Sequence, residues 1–547
     1  MQNLYTDTRV LDRAAVSRFG LTEDILMENA ACALENEVIR AGVSECRVLI
    51  VAGGGDNGGD GWALARRLNG RTGAGFSCSV AVLEVVAPKS QACMRQAERA
   101  RSADVPVIRN FSRTDFIKSR HIIVDCIFGS GFHGPLSDKI EKLIAALNKA
   151  DCFKIACDIP SGIDSKGAGT SAFRADVTVC MGALKTALFS DFAKNHTGKI
   201  ITAPLGVSSA LFESGGKSGK NAEAAEPAQI SAAAEPVEPA AFLLEASDMR
   251  LPERFLPSVH KGDFGHAAVY TGEKPGAGII AACAAFRCGA GLVSLVPVAG
   301  QSAPAVKAGQ NALPPYTIPP YLMQSSSLPE KASAVAAGMG FGRNDDRGAA
   351  EQCTKERRAA ELFALLTEKR KLSCVLDADL FYCADIKHLL KVRPSGLVLT
   401  PHPKEFQSLL SLCGLGTVSV EQIVENRLEL VKDFCSAYPG AVLLLKGANM
   451  TIGFCPEKGG KQKGGKAEVY INTFGMPCLA KGGSGDVLAG LVCAFLAQKY
   501  EPLDAAIQGS LLLAASSRVQ KSSYSSTPFT LIQSLEKPEK LKKALEG

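Results

Sequence analysis

Short apolar runs alternate with segments of helical periodicity along most of this 547-residue chain. In the first half, apolar runs at residues 47–52, 79–86, 121–125 and 154–158 have the composition of buried strands, and helical patterns lie between them. Strands that alternate with helices form a parallel sheet with helices on both faces. This half is therefore predicted to be an α/β domain.

The second half repeats this pattern. Strands are predicted at residues 266–271, 291–297, 332–337, 373–377, 396–400 and 441–446, and helices at residues 278–288, 349–367, 420–438 and 485–497. Between the halves lies a segment rich in alanine, proline and glutamate, which buries too little apolar surface to offset its ordering entropy. We therefore predict an α/β domain at residues 1–207, a flexible linker at 208–241 and a second α/β domain at 242–547.

Composition excludes several classes of protein. The net charge of +6 is small for 547 residues, so no nucleic-acid binding is expected. No uncharged apolar run reaches the length of a membrane span, and the charged N-terminal segment lacks the apolar core of a signal peptide. The 18 cysteines include no Cys-x-x-Cys pair, so free thiols in a reducing compartment are expected. The chain is predicted to be cytoplasmic, with no membrane partner.

The first glycine-rich motif, GGGDNGGDG at residues 53–61, joins a predicted strand to a helix expected to begin at Trp62. Its glycines fit the G-x-G-x-x-G pattern of dinucleotide loops, but this match alone has little specificity. Asp56 and Asp60 place negative charge where a pyrophosphate loop offers bare backbone N–H groups. The motif therefore favours a cation, or the hydroxyls and amide of a ligand, and disfavours a simple NAD-dependent oxidoreductase.

Two further loops follow predicted strands in the same half. One runs from Asp125 to Pro135 as DCIFGSGFHGP, and the other runs from Asp158 to Asp164 as DIPSGID. The carboxyl ends of parallel strands meet at one edge of the sheet, so the three loops converge on one crevice. A single aspartate here could be a cap or turn residue, but three such loops in succession favour a ligand site.

These loops, with LMENA at residues 26–30, resemble the NAD(P)H-hydrate epimerase domain over about residues 1–207. The resemblance implies a Rossmann-like three-layer sandwich that interconverts the R and S forms of hydrated NADH and NADPH. It implies a potassium ion held by Asn57, Asp125 and Ser161. The substrate contacts that it implies are Asp56, Asn57, Gly58, Gly59, Asp60, Gly129, Ser130, Gly131, Phe132, His133, Gly134 and Pro135. Asp56 departs from the family, which more often has asparagine there.

Epimerisation at a hydrated ring carbon needs an acid–base group near the hydroxyl or the ring nitrogen. Asp158 is the first candidate for this catalytic role, and Lys185, in MGALK, is the second. A surface position without function is an equally good interpretation of Lys185 from the sequence alone.

The second glycine-rich motif, KGGSGDVLAG at residues 481–490, runs directly into a strongly apolar helix. A helix N-terminus carries unpaired N–H groups and a partial positive charge, which suit an anion. Glycines also let phosphate oxygens approach the backbone. Asp486 lies in the predicted first turn, where it is either a favourable helix residue or the general base for a hydroxyl that attacks a phosphoryl group.

Other motifs of the second half also follow predicted strands. KGANMT at residues 446–451 is a candidate nucleotide contact. TPHPKEF at residues 400–406 is predicted to be an extended loop that directs polar groups at the crevice, because prolines fix its backbone. GMGFG at residues 338–342 is a third glycine loop, and Asp377 and Asp379 end a further strand.

These motifs resemble the ADP- or ATP-dependent NAD(P)H-hydrate dehydratase domain, of the ribokinase-like superfamily, over about residues 245–535. The resemblance implies phosphorylation of the S-hydrate hydroxyl and elimination of phosphate, with Mg²⁺ neutralising the nucleotide and Asp486 as catalytic base. The implied nucleotide contacts are Lys446, Gly447, Ala448, Asn449, Met450, Thr451, Lys481, Gly482, Gly483, Ser484 and Gly485. The implied hydrate contacts are Gly340, His402, Pro403, Lys404, Glu405 and Phe406. Lys481, in place of a small residue, and Met339, in place of proline, depart from the family.

The sequence therefore predicts a bifunctional enzyme that epimerises the hydrates in its first domain and dehydrates the S-hydrate in its second, with ADP or ATP as co-substrate. The alternative is a ribokinase-like kinase for another small molecule, joined to a non-catalytic Rossmann-like ligand-binding domain. The preference between ADP and ATP stays open. A homo-oligomer is expected, although the sequence does not set the number of subunits.

Overall fold

The computed structural model divides the chain into two compact units, Asn3–Ala241 and Phe242–Gly547, the latter with Met1–Gln2. The residues that it describes are 1–42, 44–73, 76–109, 115–214, 237–252, 254, 256–298, 318–342, 349–457 and 465–546, without the side chains of 349–356. Most of the predicted linker, residues 215–236, lies outside this description.

The N-terminal unit, Asn3–Ala241, is built on one sheet. The strands of this sheet are β2 (Glu45–Ala52), β3 (Thr72–Gly73), β4 (Phe76–Glu84), β5 (Val107–Ile108), β6 (Ile122–Cys126), β7 (Phe153–Cys157), β8 (Val177–Met181) and β9 (Lys199–Ala203). A short strand, β1 (Gln2–Leu4), lies outside this sheet. The helices are α1 (Arg9–Phe19), α2 (Glu23–Ala41), α3 (Asp56–Leu68), α4 (Gln91–Ser102), α5 (Asp138–Lys149) and α6 (Ser209–Glu213). The sheet order is β3-β4-β2-β6-β7-β8-β9, with β5 beside β4. Among these pairs, only β3 with β4 is antiparallel.

This sheet has an apolar core on each face. Successive side chains of a strand point to opposite faces, and β2 shows this alternation. Val48 and Ile50 pack with side chains of α1 to α4, whereas Leu49 and Val51 pack with the apolar face of α5. Helices therefore cover both faces of the sheet, and the predicted Rossmann-like three-layer sandwich is confirmed.

Two boundaries in this unit differ from prediction. Helix α3 begins at Asp56 rather than near Trp62, so most of the glycine-rich motif is helical. Glycine is required inside this first turn, since a Cβ on Gly58 would lie 2.1 Å from the carbonyl oxygen of Gly53. Helix α6 lies within the predicted linker and places Phe212 in the apolar core, so the folded unit extends beyond residue 207.

The C-terminal unit, Phe242–Gly547, is built on a second sheet. Its strands are β10 (Ala241–Leu243), β11 (His266–Thr271), β12 (Leu292–Pro297), β13 (Met323–Gln324), β14 (Ala334–Ala337), β15 (Ser373–Leu376), β16 (Leu397–Leu399), β17 (Val442–Leu445), β18 (Met450–Phe454) and β19 (Glu468–Asn472). They follow the order β10-β19-β18-β17-β16-β15-β14-β11-β12-β13. Strand β18 is antiparallel to both neighbours, and the other pairs are parallel.

The helices of this unit include one that is apolar all round. They are α7 (Pro275–Arg287), α8 (Ala349–Glu368), α9 (Ile386–Val392), α10 (Pro403–Cys413), α11 (Val420–Glu425), α12 (Arg427–Ala437), α13 (Ser484–Ala497), α14 (Pro502–Arg518), α15 (Pro528–Ser534) and α16 (Pro538–Glu546). Helix α13 is buried from its second turn to its end, between α7, α14 and the sheet. A helix without a polar face belongs in the centre of a large core, and the predicted helix at residues 485–497 is confirmed there.

One predicted helix of this unit is wrong in form. Residues 420–438 form two helices, α11 and α12, because Asn426 leaves the helical region with φ −110° and ψ 30°. The break directs the next side chain, Arg427, into the interior, where it is 8% exposed. The six predicted strands of this half are confirmed with small shifts at their ends.

Every cysteine whose side chain the structure describes is a free thiol, and none of them is exposed. Burial raises the pKa of Cys180 and of Cys374 to about 11. Within the described ranges, no helix combines the length and the apolar character that crossing a bilayer requires.

Candidate active sites

The N-terminal unit contains a cavity of about 1200 Å³ at the carboxyl ends of β2, β6 and β7. All three predicted loops reach it, so the structure brings them together as the sequence predicts. The predicted site residues that line it are Asp56, Asn57, Asp60, Gly129, Ser130, Gly131, Phe132, His133, Asp158 and Lys185. Phe128 and Phe132 stack with ring centroids 4.8 Å apart and form an aromatic part of the wall.

Four predicted substrate contacts lie outside this lining. Gly58 and Gly59 are buried within α3, where a Cβ on Gly59 would lie 2.9 Å from the methyl group of Met27. These two glycines therefore serve helix packing. Gly134 and Pro135 are exposed beyond the part of the second loop that reaches the cavity.

Asp158 and Lys185 form a buried ion pair in the cavity wall, with 2.6 Å between the Lys185 Nζ and the Asp158 Oδ1 atoms. Asp158 follows β7 with φ +66°, and its carboxylate also accepts hydrogen bonds from the backbone N–H groups of Ser130 and Met181. The Lys185 ammonium also donates to the Met181 carbonyl, at 3.0 Å. The interpretation of Lys185 as a surface residue is therefore wrong, because it is only 2% exposed.

The cavity is rich in carboxylates. Burial raises the pKa of Asp12 to about 6, and the Asp158 charge adds to this while Lys185 opposes it. Burial and the Asp158 charge also raise the pKa of Asp60 well above its usual range. Lys185 behaves in the opposite sense, because burial disfavours its charged form but the Asp158 carboxylate outweighs this and raises its pKa. The pocket therefore holds an ammonium group paired with Asp158, together with carboxyl groups whose pKa values burial raises.

Oxygen atoms converge where the three loops meet. Asp125, fully buried, accepts hydrogen bonds from the Ser161 hydroxyl at 2.7 Å and from its backbone N–H at 2.8 Å. The Asn57 amide donates to the Phe128 carbonyl at 3.0 Å, and the Asn57 Oδ1 atom is buried without a hydrogen-bond partner. The three residues predicted to hold potassium are thus neighbours through the Phe128 backbone, which also accepts a bond from Ser161. The described residues contain no cluster of three His, Cys, Asp or Glu side chains suited to a metal.

The C-terminal unit gathers a second set of charged groups at the ends of β15, β16 and β17. Asp377, 1% exposed, accepts hydrogen bonds from the Thr400 hydroxyl and from the Lys446 ammonium, each at 2.8 Å. The Lys446 ammonium also lies 3.5 Å from the Glu405 Oε2 atom. Burial disfavours the charged form of Lys446, but the two carboxylates outweigh this and raise its pKa.

The TPHPKEF motif is not an extended loop. Pro403 opens α10, where its missing N–H costs nothing, and His402 is the N-cap residue. The His402 Nδ1 atom accepts hydrogen bonds from the backbone N–H groups of Lys404 and Glu405. The Glu405 carboxylate in turn accepts a hydrogen bond from the His402 backbone N–H at 2.7 Å. Phe406 is wholly buried against Phe434, so it is a core residue rather than a hydrate contact. Lys404 is exposed.

The KGANMT motif spans a turn and a strand. Its first four residues, Lys446, Gly447, Ala448 and Asn449, connect β17 to β18. Buried Arg427 holds this turn, since its guanidinium donates to the Asn449 carbonyl at 2.6 Å. Met450 and Thr451 belong to β18 and are buried, so their side chains are unsuited to the predicted nucleotide contact.

The KGGSGD motif forms the N-terminus of α13, as predicted. Gly483 has φ +91°, and a Cβ there would lie 2.4 Å from the Pro528 side chain. The Asp486 carboxylate, in the first turn, has no hydrogen-bond partner among the described residues. Burial raises its pKa to about 6, with a further contribution from Asp377. These properties suit a general base.

Two departures from the family pattern have structural explanations. Lys481 donates to the carbonyls of Tyr524 and Ser526, so its ammonium is engaged with the backbone and is not directed at a phosphate. Met339 is wholly buried in the apolar core. Its neighbour Gly340 has φ +68°, and a Cβ there would lie 2.4 Å from the Lys274 carbonyl oxygen.

The sequence did not identify three groups that the structure places at these sites. Asp12, on α1, lines the first cavity, and the Phe128 carbonyl lies among the oxygens near Asn57. Asp377 was noted at a strand end without a role. A buried aspartate after a strand, with a lysine after a neighbouring strand, is the signal that could have identified this third group.

Comparisons with known proteins cover both units. A family model described as YjeF-related protein N-terminus matches residues 23–187, and one described as NAD(P)H-hydrate dehydratase matches residues 268–537. The bifunctional NAD(P)H-hydrate repair enzyme Nnr of Helicobacter pylori is 38% identical, over 98% of this chain and 99% of that protein. The enzymes of the same name from Pyrobaculum aerophilum and Escherichia coli are each 30% identical. These two matches cover 91% and 94% of this chain, and 89% and 88% of those proteins. The chain therefore belongs to the family of bifunctional NAD(P)H-hydrate repair enzymes.

Proposed function

We propose that this chain repairs hydrated NADH and NADPH in two steps. The N-terminal unit interconverts the R- and S-hydrates, and the C-terminal unit dehydrates the S-hydrate at the expense of ADP or ATP. The observation that carries the proposal is similarity to bifunctional repair enzymes along almost the whole chain. The candidate acid–base groups of both sites are also present. The cytoplasm, where nicotinamide nucleotides are abundant, is the proposed location, and a homo-oligomer is the proposed assembly.

The epimerase step is assigned to the cavity of the N-terminal unit. Epimerisation exchanges the hydroxyl between the two faces of the ring carbon, so a proton must reach the leaving oxygen and another must leave the incoming water. Asp158 and Lys185 are the proposed acid–base pair, because both line the cavity and the Lys185 ammonium contacts the Asp158 carboxylate directly. The stacked rings of Phe128 and Phe132 give the dihydropyridine ring an apolar wall.

The oxygen atoms near Asn57 fit a potassium ion. An amide oxygen without a partner, a hydroxyl, a backbone carbonyl and a single carboxylate are hard donors of low total charge. Asn57, Asp125 and Ser161 are the residues proposed to hold the ion, with Phe128 contributing its carbonyl. The ion would supply a fixed positive charge at the edge of the cavity.

Replacing K⁺ in the buffer with tetramethylammonium is expected to lower the epimerase rate severalfold and to lower the thermal midpoint of the N-terminal unit. The second effect follows because an ion that binds only the folded state stabilises it. In Asn57→Leu, which removes the unpaired oxygen, both responses to K⁺ should disappear, while dehydratase activity persists. If neither the thermal midpoint nor the epimerase rate of the wild type changes when K⁺ is replaced, the assignment of the potassium site is wrong.

The dehydratase step is assigned to the N-terminus of α13. Asp486 removes the proton of the hydrate hydroxyl, whose oxygen forms a bond to the terminal phosphoryl group as the nucleotide leaves. The bond between the ring carbon and the ester oxygen then breaks, and phosphate leaves with that oxygen and the electron pair. Loss of a proton from the adjacent carbon restores the dihydropyridine ring. The N–H groups of α13 and the Lys446 ammonium stabilise the transferred charge. Mg²⁺ would arrive on the phosphates of the nucleotide, where it neutralises charge, and none of this chain's residues is assigned to it.

Gly485→Ala is expected to lower the dehydratase rate by at least about tenfold, because a methyl group would cover the N–H groups that receive phosphate. The fold should tolerate the change, since this Cβ would meet only the Lys446 ammonium, at 3.4 Å, and the Asp377 carboxylate, at 3.8 Å. Single-turnover kinetics with saturating nucleotide measure the effect, and epimerase activity of the same protein is the control. A rate equal to that of the wild type would show that the phosphoryl group lies elsewhere.

The deciding experiment for the proposed function uses full-length protein and a mixture of R- and S-hydrated NADH, with Mg²⁺ and either ADP or ATP. Recovery of all the dihydronicotinamide absorbance, faster than the two forms exchange spontaneously, demonstrates both activities. Recovery of the S fraction alone would make the N-terminal unit a binding module. No recovery with either nucleotide would overturn the proposal and favour a kinase for another small molecule.

A further inference from the structure

Hydrogen bonds from two neighbouring side chains hold the Asp377 carboxylate in the dehydratase site. It directly follows β15, and its Oδ1 atom accepts hydrogen bonds from the Thr400 hydroxyl and the Lys446 ammonium, both at 2.8 Å. A buried carboxylate is retained at such a position only when it is paired and hydrogen-bonded. The second oxygen, Oδ2, has no hydrogen-bond partner among the residues described.

Lys446 is held from two sides. Its ammonium contacts Asp377 and lies 3.5 Å from Glu405, which the His402 backbone and side chain fix in turn. The same ammonium would lie 3.4 Å from a Cβ on Gly485. The lysine therefore stands directly before the first turn of α13, and its long side chain has little freedom to swing away.

The free oxygen of Asp377 faces the same turn. The Oδ2 atom would lie 3.8 Å from a Cβ on Gly485, the residue before Asp486. Three charged groups act on Asp486: Asp377 and Asp379, both on the segment after β15, and Lys446, after β17. Burial is the largest cause of the raised pKa of Asp486, the two aspartates add to it, and the lysine opposes it.

We infer that Asp377 is a positioning residue of the dehydratase reaction, which holds the Lys446 ammonium before the N-terminus of α13 and presents its remaining negative charge to Asp486. The inference rests on the proposed dehydratase function. Asp377 itself touches neither the hydroxyl nor the phosphoryl group. It acts through the Lys446 ammonium, which stabilises the transferred phosphoryl group, and through Asp486, which accepts the hydroxyl proton.

Charge, rather than shape, distinguishes this role from a structural one. In Asp377→Asn the amide oxygen still accepts the Thr400 hydroxyl, and the volume of the side chain is unchanged. What the variant removes is the attraction for Lys446 and the repulsion that disfavours the charged form of Asp486. A residue with only a structural role would therefore change stability without moving the pH profile.

The experiment compares full-length wild type, Asp377→Asn and Lys446→Met in the dehydratase reaction between pH 5 and pH 9. In the wild type, kcat/KM for the S-hydrate should fall below about pH 6, where Asp486 takes up a proton. In Asp377→Asn this acid limb should move down by about 1 pH unit, and KM for the nucleotide should rise about tenfold. In Lys446→Met the limb should move up, because the stabilising cation is lost.

Thr400→Val is the matched control, because it removes a neighbour of Asp377 but no charge, and its acid limb should stay at the wild-type position. Epimerase activity of each protein reports a folded N-terminal unit, and thermal unfolding reports the C-terminal unit. If Asp377→Asn does not fold, the upward movement in Lys446→Met decides. An acid limb that stays fixed in the folded variants overturns the inference, whereas a wild type without hydrate turnover overturns the proposed function instead.

Discussion

Asp486→Asn is expected to lower the dehydratase rate by about 10²–10⁴-fold, the range typical for loss of a positioned general base. The Asp486 carboxylate has no hydrogen-bond partner among the described residues and lies in the first turn of α13, so asparagine can replace it without leaving a broken contact. Its removal also relieves repulsion from Asp377, so the C-terminal unit should unfold at an equal or higher temperature. Stopped-flow recovery of dihydronicotinamide absorbance measures the rate.

The matched control for this variant is Asp504→Asn. Asp504 occupies the first turn of α14, as Asp486 occupies the first turn of α13, and it is exposed. The two variants therefore lose the same favourable interaction with a helix N-terminus, but only one loses a base. A dehydratase rate in Asp486→Asn as high as in Asp504→Asn would remove Asp486 from the mechanism.

Asp158→Asn is expected to reduce epimerisation by about 10²–10⁴-fold while dehydration of pure S-hydrate continues. Asparagine tolerates the left-handed backbone that Asp158 adopts, at φ +66°, better than most residues do. The variant nevertheless leaves the buried Lys185 ammonium without its carboxylate. Removing one partner of a buried ion pair costs about 3–5 kcal/mol, so the N-terminal unit should unfold at a lower temperature than in the wild type.

This loss of stability must be separated from a loss of chemistry. Asp158→Asn combined with Lys185→Met removes both charges, and it should regain stability without regaining epimerisation. Asp164→Asn, in the same loop but outside the cavity lining, should keep the epimerase rate, because the Asp164 Oδ1 atom accepts hydrogen bonds from the backbone N–H groups of residues 166 and 168, and asparagine can accept the same bonds. Epimerisation retained by Asp158→Asn in a folded unit would exclude Asp158 as the acid–base group.

Much of the architecture was predictable because it depends on local periodicity. Apolar runs such as residues 48–52 and 441–445 are buried on both faces, and strands of a covered sheet have that composition. The convergence of the three loops on one cavity followed from strand direction alone. The pairing of Asp158 with Lys185 did not, because β8 and a backbone bridge to Tyr5 place the lysine there.

Several of the wrong site predictions arise from contact between segments distant in sequence. Gly59 is a packing residue because α3 lies against Met27 of α2. Phe406 is buried because α12 covers it with Phe434. A glycine or an aromatic residue in a motif does not itself indicate whether a ligand or another part of the protein lies beside it.

The buried cysteine thiols allow the local unfolding of each unit to be measured separately. Cys126 and Cys157 in the N-terminal unit, and Cys435 and Cys493 in the C-terminal unit, have no accessible surface, and burial disfavours the thiolate of each. A thiol reagent can modify such groups only when the surrounding core opens. The rates at which the reagent modifies these cysteines under native conditions, measured for each peptide, therefore report the free energy of opening of each unit separately. No engineered probe is needed, because the cysteines belong to the chain.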